Sequence, residues 1–405
     1  MCNFAFQFGK TMFTITLTPV IIILFAILLL ACIYLLFGFR HYVASVSRKV
    51  VDDSHREFPT APEVYPSVSV IVYSEDDAQN LEVLLPQILN QDYPAPFEVI
   101  VVNDGAVKTT KEVVARFERA HSNLYMTFTP LESRSLSRKK LGLTLGIKAA
   151  RYDVIVNTTG NCQIPSRLWL KALCRNFTPG IEVVIGYGAP AQLEDAKDSW
   201  KRLHAFDQVR SAVKYLSWAI AGRPYMGCSA NLAYTRSLFF RNKGFSRSLD
   251  LRFGDDDVFV SEIANSRNTE VELSADSMVL DVRRSPAAEF VAQKLRYGFT
   301  SSKVKGHASA FFGSCTVAWW LSIASAVACS LCGLPSLIPA IASVVLLLIT
   351  WLVLMLAWRR TSRALWSRKI FLTFPWFMCI RPFYTLYYNF RGARTRSSNL
   401  SYGKA

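Results

Sequence analysis

The chain has 405 residues, 51% of them hydrophobic, with 46 Lys and Arg against 30 Asp and Glu, a formal charge of +16. That length holds one large domain or two ordinary ones. The charge favours anionic partners such as acidic phospholipid or a phosphorylated substrate, and with no nucleic-acid motif beside it, nucleic acid is set aside as a partner.

The apolar residues are unevenly spread. Thr14 to Phe39 is free of charge and long enough to cross a hydrocarbon core of about 30 Å. A second uncharged region, Ala308 to Trp358, is broken at Cys332-Gly333-Leu334-Pro335 and is expected to form two spans joined by a turn. The expected division is a tail 1–13, a span 14–39, a linker 40–65, a domain 66–305, spans 310–332 and 336–358, and a basic, aromatic, interfacial segment 359–405. Arg40, Arg48 and Lys49 follow the first span, and Arg359, Arg360 and Arg363 follow the third. The positive-inside rule then gives a multi-pass protein of a bacterial-type inner membrane with residues 66–305 in the cytoplasm. Leu29-Leu30-Ala31-Cys32 loosely resembles a lipoprotein cleavage site, but the apolar run continues through Phe37, which argues against export. Of the nine cysteines only Cys162, Cys174 and Cys228 fall in the middle domain, so no disulfide framework is expected.

From Pro66 onward, short β-rich runs alternate with helical stretches. Ser67–Val72 is expected as a buried strand, followed by a helix with Leu81, Leu84, Leu85 and Ile88 on one face and a Ser74/Asp77 capping box. Further strands are expected at Phe97–Val102, Leu124–Thr129, Asp153–Thr158 and Glu182–Tyr187, with a basic helix from Ser137 to Tyr152. Such alternation gives an α/β fold with a mostly parallel, Rossmann-like sheet. Ligands bind such sheets at the carboxyl ends of the strands, here Tyr73-Ser74-Glu75-Asp76, Asn103-Asp104-Gly105 and Thr159-Gly160-Asn161. Taken singly, each is ordinary turn chemistry.

Two motifs lie beyond the strands. Gly254-Asp255-Asp256-Asp257-Val258-Phe259-Val260 crowds three carboxylates before an apolar run, where they serve either as helix caps or as a proton acceptor with a raised pKa. Gln293 and Arg296 share a helical face at i, i+3, and Tyr297 follows. In their order, the strand ends, the Tyr225–Tyr234 segment, the acidic run and Gln293-Lys294-Leu295-Arg296-Tyr297 resemble family 2 glycosyltransferases. These are inverting enzymes with the GT-A fold that use nucleotide-sugars.

The resemblance covers residues 66 to 305 and implies roles. Asp255 would be the catalytic base, with Asp256 and Asp257 assisting. Tyr73, Glu75, Asp104, Lys140, Thr159, Asn161, Gln293 and Arg296 would bind the donor, while Tyr297, Gly227 and Asn231 would bind the acceptor. The family's Asp-x-Asp metal motif is replaced by Thr159-Gly160-Asn161. A divalent metal, Mg2+ or Mn2+, would then lean on Asn161 and Asp257, or cationic side chains would neutralise the diphosphate in its place. The implied activity is non-processive transfer from a nucleotide-sugar to a lipid-linked or envelope glycan acceptor. The alternatives are a processive polysaccharide synthase and a non-catalytic nucleotide-sugar binder or scaffold.

Overall fold

The computed structural model describes residues 2–8, 11–75, 77–104, 108–130, 137–190, 199–249, 251, 253–282, 286–300, 303, 304, 306–332, 337–367 and 370–398. Asp76, Gly105 and the expected turn at Gly333–Pro335 lie outside them. The chain divides into two compact units, Met1–Ser45 with His307–Arg363 and Lys369–Phe383, and Val46–Gly306 with Ala364–Arg368 and Tyr384–Ala405.

In the first unit, Cys2–Phe8 and Thr11–Leu17 pair as an antiparallel hairpin. The apolar helix expected from Thr14 therefore starts at Pro19, whose missing N–H suits a first helical position, with Thr18 capping the Ile21 N–H. Among the described residues, three helices are long and apolar enough to cross a membrane: Pro19–His55, Ala308–Cys332 and Ile338–Ala364. Leu28, Cys32 and Ala326 pack together, and Trp319 stacks on Trp351 with centroids 5.1 Å apart. The outward side chains are also apolar, with Leu30 66% and Leu348 55% exposed, as lipid contact requires.

The second unit is the α/β domain. Its strands and helices are β1 (Val68–Ser74), α1 (Ala78–Leu89), β2 (Phe97–Asn103), α2 (Lys108–Glu118), β3 (Leu124–Phe128), α3 (Arg138–Ala149), β4 (Val154–Thr159), β5 (Cys162–Gln163), α4 (Trp169–Cys174), β6 (Val183–Ile185), β7 (Gly188–Pro190), α5 (Ser199–Ile220), β8 (Leu232–Thr235), α6 (Arg236–Arg241), α7 (Val258–Ile263), β9 (Thr269–Val271), β10 (Val279–Asp281) and α8 (Pro286–Thr300). Seven strands form one sheet in the order β9-β6-β8-β4-β1-β2-β3, with β8 antiparallel to both its neighbours and the other pairs parallel. A smaller sheet has the order β5-β10-β7.

Every residue of β1 is buried, in keeping with its largely apolar sequence: both faces of the sheet are covered. Val68, Val70 and Val72 join Leu81, Leu84, Leu85 and Ile88 of α1 in the core. The other face takes α3, and glycines set the distance. A Cβ at Gly142 would stand 2.7 Å from Thr129 and 2.9 Å from Val102, and one at Gly146 would stand 2.8 Å from Val102. Only glycine permits this approach, which draws the first turn of α3 towards Tyr73. The expected capping box is not formed. Asp77 occupies the N-cap of α1 without a side-chain cap bond, and its carboxylate instead accepts from Glu75 N–H at 3.4 Å.

The stretch expected as a linker is helical to His55 and enters the domain's buried polar core. Arg175 makes a bidentate ion pair with Glu272, at 3.1 Å through Nε and 2.9 Å through Nη2. It also donates to the carbonyls of Arg56 and Asp53, each at 2.7 Å.

Candidate active site

Register brings the predicted strand ends together. Tyr73 pairs with Thr159 across β1 and β4, and Ser74 with Asn103 across β1 and β2. Beyond the last pairs, Gly160 N–H donates to Tyr73 O at 2.7 Å and Asp104 N–H to Ser74 O at 2.8 Å. A cleft of about 590 Å3 opens at this edge. Tyr73, Glu75, Thr159 and Asn161 from the strand ends line it together with Gly227, Asp256, Gln293, Arg296 and Tyr297.

The three aspartates diverge. Asp255 is buried between cations, 2.5 Å from Lys139 Nζ and 3.6 Å from Arg296 Nη2. Burial pushes its carboxyl up, but the ammonium of Lys139 and the guanidinium of Arg296 outweigh burial and hold it well below the usual carboxylate range. Asp256 faces the cleft, ion-paired with Arg296 through Oδ1 and accepting from Ser229 N–H at 3.2 Å through Oδ2. Its backbone carbonyl accepts from Gly227 N–H at 2.8 Å, tying the glycine segment to the acidic run. Asp257 turns back to cap α7, its Oδ1 accepting from Val258 N–H at 2.7 Å.

Burial and then the charge of Asp256 push Asp257 up to about 6 from 3.8. The folded state therefore holds this proton more tightly than the unfolded chain. The associated stability is full below 3.8, falls as pH rises towards 6, and is flat above. Asp255 has the opposite sign, adding stability as pH rises towards 3.8. Asp257→Asn keeps a good helix cap and is expected to flatten the decline between pH 4 and 6, as read from denaturation midpoints across that range; an unchanged slope would remove this assignment.

Several predicted residues are placed elsewhere. Lys140 is fully buried and donates to the carbonyls of Ser248, Leu251 and Phe253 at 2.5, 3.3 and 2.8 Å, so it braces the loop before the acidic run and is not on the cleft lining. Its neighbour Lys139 takes the cleft position, 3.1 Å from Ser229 Oγ and 5.8 Å from the Tyr73 ring centroid. Asn231 is also fully buried. Its amide donates to Tyr187 O and Ser277 O, and its carbonyl oxygen accepts from Trp169 Nε1, so it is held within the packing and is not on the cleft lining. Asp104 accepts from Tyr73 OH and pairs with Arg138, beside the cleft but not on its wall. Asp257, expected as a metal ligand, is a buried cap and does not line the cleft.

The structure adds residues that the motifs did not single out. Gln208, Ser211, Ala212 and Tyr215 of α5 line the cleft at i, i+3, i+4 and i+7, one helical face. On α8, Gln293 Nε2 donates to Tyr297 OH at 3.3 Å, while Gln293 Oε1 and Arg296 Nε have no hydrogen-bond partner among the described residues. A buried ion pair between Lys294 and Asp207, joined by Tyr384 OH at 3.1 Å from Asp207, anchors α8 to α5. Asp281, at the end of β10, accepts from the Asn161 amide at 2.6 Å and shares the cleft wall with it.

No group of three His, Cys, Asp or Glu among the described residues could hold a metal unaided. The donor set beside β4, one carboxylate with an amide and a hydroxyl, fits a hard cation whose remaining ligands come from phosphate and water.

Residues 67–239 match the model of Glycosyl transferase family 2. Glycosyltransferase AglE of Haloferax volcanii is 27% identical over 124 residues, 30% of this chain. The match spans 37% of that relative's length. The structure of the mannosyltransferase PcManGT from Pyrobaculum calidifontis, in complex with GDP-Man and Mn2+, aligns with a TM-score of 0.50 at 20% identity, covering 86% of this chain and 98% of that one. At that identity the likeness speaks to the fold, GT-A, which is the fold of the α/β domain described above. Over its segment 67–239, the chain is similar to glycosyl transferase family 2.

Proposed function

We propose that the protein is a membrane-anchored, inverting, non-processive glycosyltransferase that moves a sugar from a nucleotide-sugar to a lipid-linked or envelope glycan acceptor. One observation carries this reading: Arg296 and Asp256 form an ion pair on the lining of a single cleft at the carboxyl edge of the sheet, and Arg296 Nε has no hydrogen-bond partner among the described residues. A guanidinium suits a departing diphosphate, and a carboxylate beside it suits a proton acceptor.

The base is assigned to Asp256, because Asp255 is consumed by Lys139 and Arg296 and Asp257 by a helix N–H. Asp256 takes the proton of the acceptor hydroxyl as its oxygen attacks the anomeric carbon. The bond from that carbon to the diphosphate oxygen breaks, the configuration inverts, and the nucleoside diphosphate leaves against Arg296 and Lys139. A divalent cation, when bound, would supply further charge neutralisation of the diphosphate. Glu75 and Tyr73, which line the cleft from a strand end, are assigned to the nucleotide, and Gly227 and Tyr297, which line the same cleft, to the sugars. The acceptor's lipid character is supported by sequence alone: only residues 301–307 separate α8 from the apolar helix Ala308–Cys332. A cytoplasmic catalytic domain is supported by the basic residues that flank the apolar helices.

The test is a thermal-shift screen of the detergent-solubilised chain against UDP-, GDP- and dTDP-sugars, GDP-mannose included, with and without Mn2+. One nucleotide class is expected to stabilise the protein, by about 2.7 kcal/mol at a hundredfold excess over Kd, and Arg296→Ala is expected to abolish the shift. A shift of wild-type size in Arg296→Ala would remove the cleft from consideration. A ladder of long polymer from purified protein would overturn non-processive transfer.

A further inference from the structure

The end of β4 carries no carboxylate, yet one stands beside it. Val282 N–H donates to the Asn161 carbonyl at 2.8 Å and the Asn161 amide donates to Asp281 Oδ1 at 2.6 Å, so the end of β10 is clamped to the turn that follows β4. The β5–β10 register, which pairs Asp281 with Cys162, sets the same alignment. Asp281 is half-buried and lines the cleft with Thr159 and Asn161. Mg2+ and ions like it take oxygen ligands, and are commonly held by one or two carboxylates plus substrate phosphates and not by a complete protein cage. A carboxylate, an amide oxygen and a hydroxyl on one wall of a diphosphate-sized cleft make up such a partial set.

We propose that Asp281, together with Asn161, forms a divalent-cation site that becomes tight only when a nucleoside diphosphate completes the coordination. This rests on the donor reading above and deepens it. The assignment departs from the Asp-x-Asp arrangement, in which both acids belong to the fourth-strand end. Here the carboxylate arrives from a different sheet, 120 positions along the chain from Asn161. Folding, and not local sequence, restores the missing charge. A site with one carboxylate has little affinity of its own, so metal and nucleotide bind with positive coupling, each tightening the other by the same factor.

The experiment measures Mn2+ uptake by the full-length chain in detergent, from loss of the free-ion EPR signal, with no nucleotide and with UDP, GDP or dTDP. Calorimetry gives the affinity of each nucleotide with and without Mn2+. Weak Mn2+ uptake alone and tighter uptake with one nucleotide are expected. Asp281→Asn is expected to weaken the nucleotide-dependent uptake by at least the about 10–100-fold that loss of an outer-shell partner costs, while metal-free nucleotide affinity holds or rises because a carboxylate facing the diphosphate is gone. Asn161→Asp, which adds a second acid, is expected to give measurable uptake without nucleotide. It decides the matter even if Asp281→Asn fails to fold, since no gain in uptake overturns the site. Nucleotide binding indifferent to Mn2+, or coupling retained in Asp281→Asn, also overturns the site and leaves the donor reading standing. Binding of no nucleotide under either condition removes the donor reading and the site with it.

Discussion

Asp256→Asn is expected to lower kcat by about 10²–10⁴-fold, the range supplied by a positioned general base, while donor affinity holds or rises. The second half of this expectation follows from the ion pair: neutralising Asp256 removes the carboxylate that competes with the diphosphate for Arg296. Asp255→Asn should behave differently. Its carboxylate offsets Lys139 and Arg296 together from a buried position, so its loss is expected chiefly as a lower melting temperature and a weakened hold on both cations. Transfer kinetics for both variants, read as kcat and donor KM alongside thermal melts, separate the two roles. Full turnover in Asp256→Asn, with turnover lost in a well-folded Asp255→Asn, would return the base to Asp255.

Removing either partner of the Arg175–Glu272 pair is expected to destabilise the second unit by about 3–5 kcal/mol, the cost of leaving one buried charge uncompensated. The side chains are 1% and 0% exposed. Neither charge has water to fall back on, and each side chain already makes four hydrogen bonds. Glu272 also accepts from Asn176 Nδ2 at 2.8 Å and from Ser274 N–H at 3.0 Å, and Phe58 lies 4.8 Å from the Arg175 guanidinium. Arg175→Met combined with Glu272→Leu should cost markedly less than the two single losses added, because replacing both partners leaves no orphan charge. Denaturant midpoints for the two single variants and the double variant close that cycle. Additive losses would show that the pair is not energetically coupled.

Neither the division of work among the aspartates nor the Arg175–Glu272 pair could be read from residue order, and the reason is the same for both. The partners lie far apart in the chain, as with Arg175 and Glu272 or Lys139 and Asp255, so no local periodicity reports them. What is local was legible. The apolar runs of β1, β2 and β4 declare themselves because a parallel strand buried on both faces has no polar alternation to confuse it. The face of α1 through Leu81, Leu84, Leu85 and Ile88 is equally plain. Helix α5 was not legible: it needs Asp207 for an ion pair with Lys294 and Gln208 and Ser211 for a cleft wall, which breaks the apolar stripe that marks a helix. Strands of three residues, such as β10, give too little pattern to register, and Asp281 was lost with it.

The residue order was enough for the apolar spans, the alternating α/β domain and the acidic run as a feature requiring an explanation. It could not divide the work among Asp255, Asp256 and Asp257, since neighbours in a tight turn point in different directions and each meets whatever the fold has brought there. Asn161 and Asn231 are the same residue type with opposite fates, one on the cleft wall and one held within the packing. Lys139 and Lys140 differ by one position and by about a hundred degrees around a helix, which turns one ammonium to the cleft and the other to three buried carbonyls. Direction and partnership are properties of three-dimensional packing, and chemistry at this site is assigned by them.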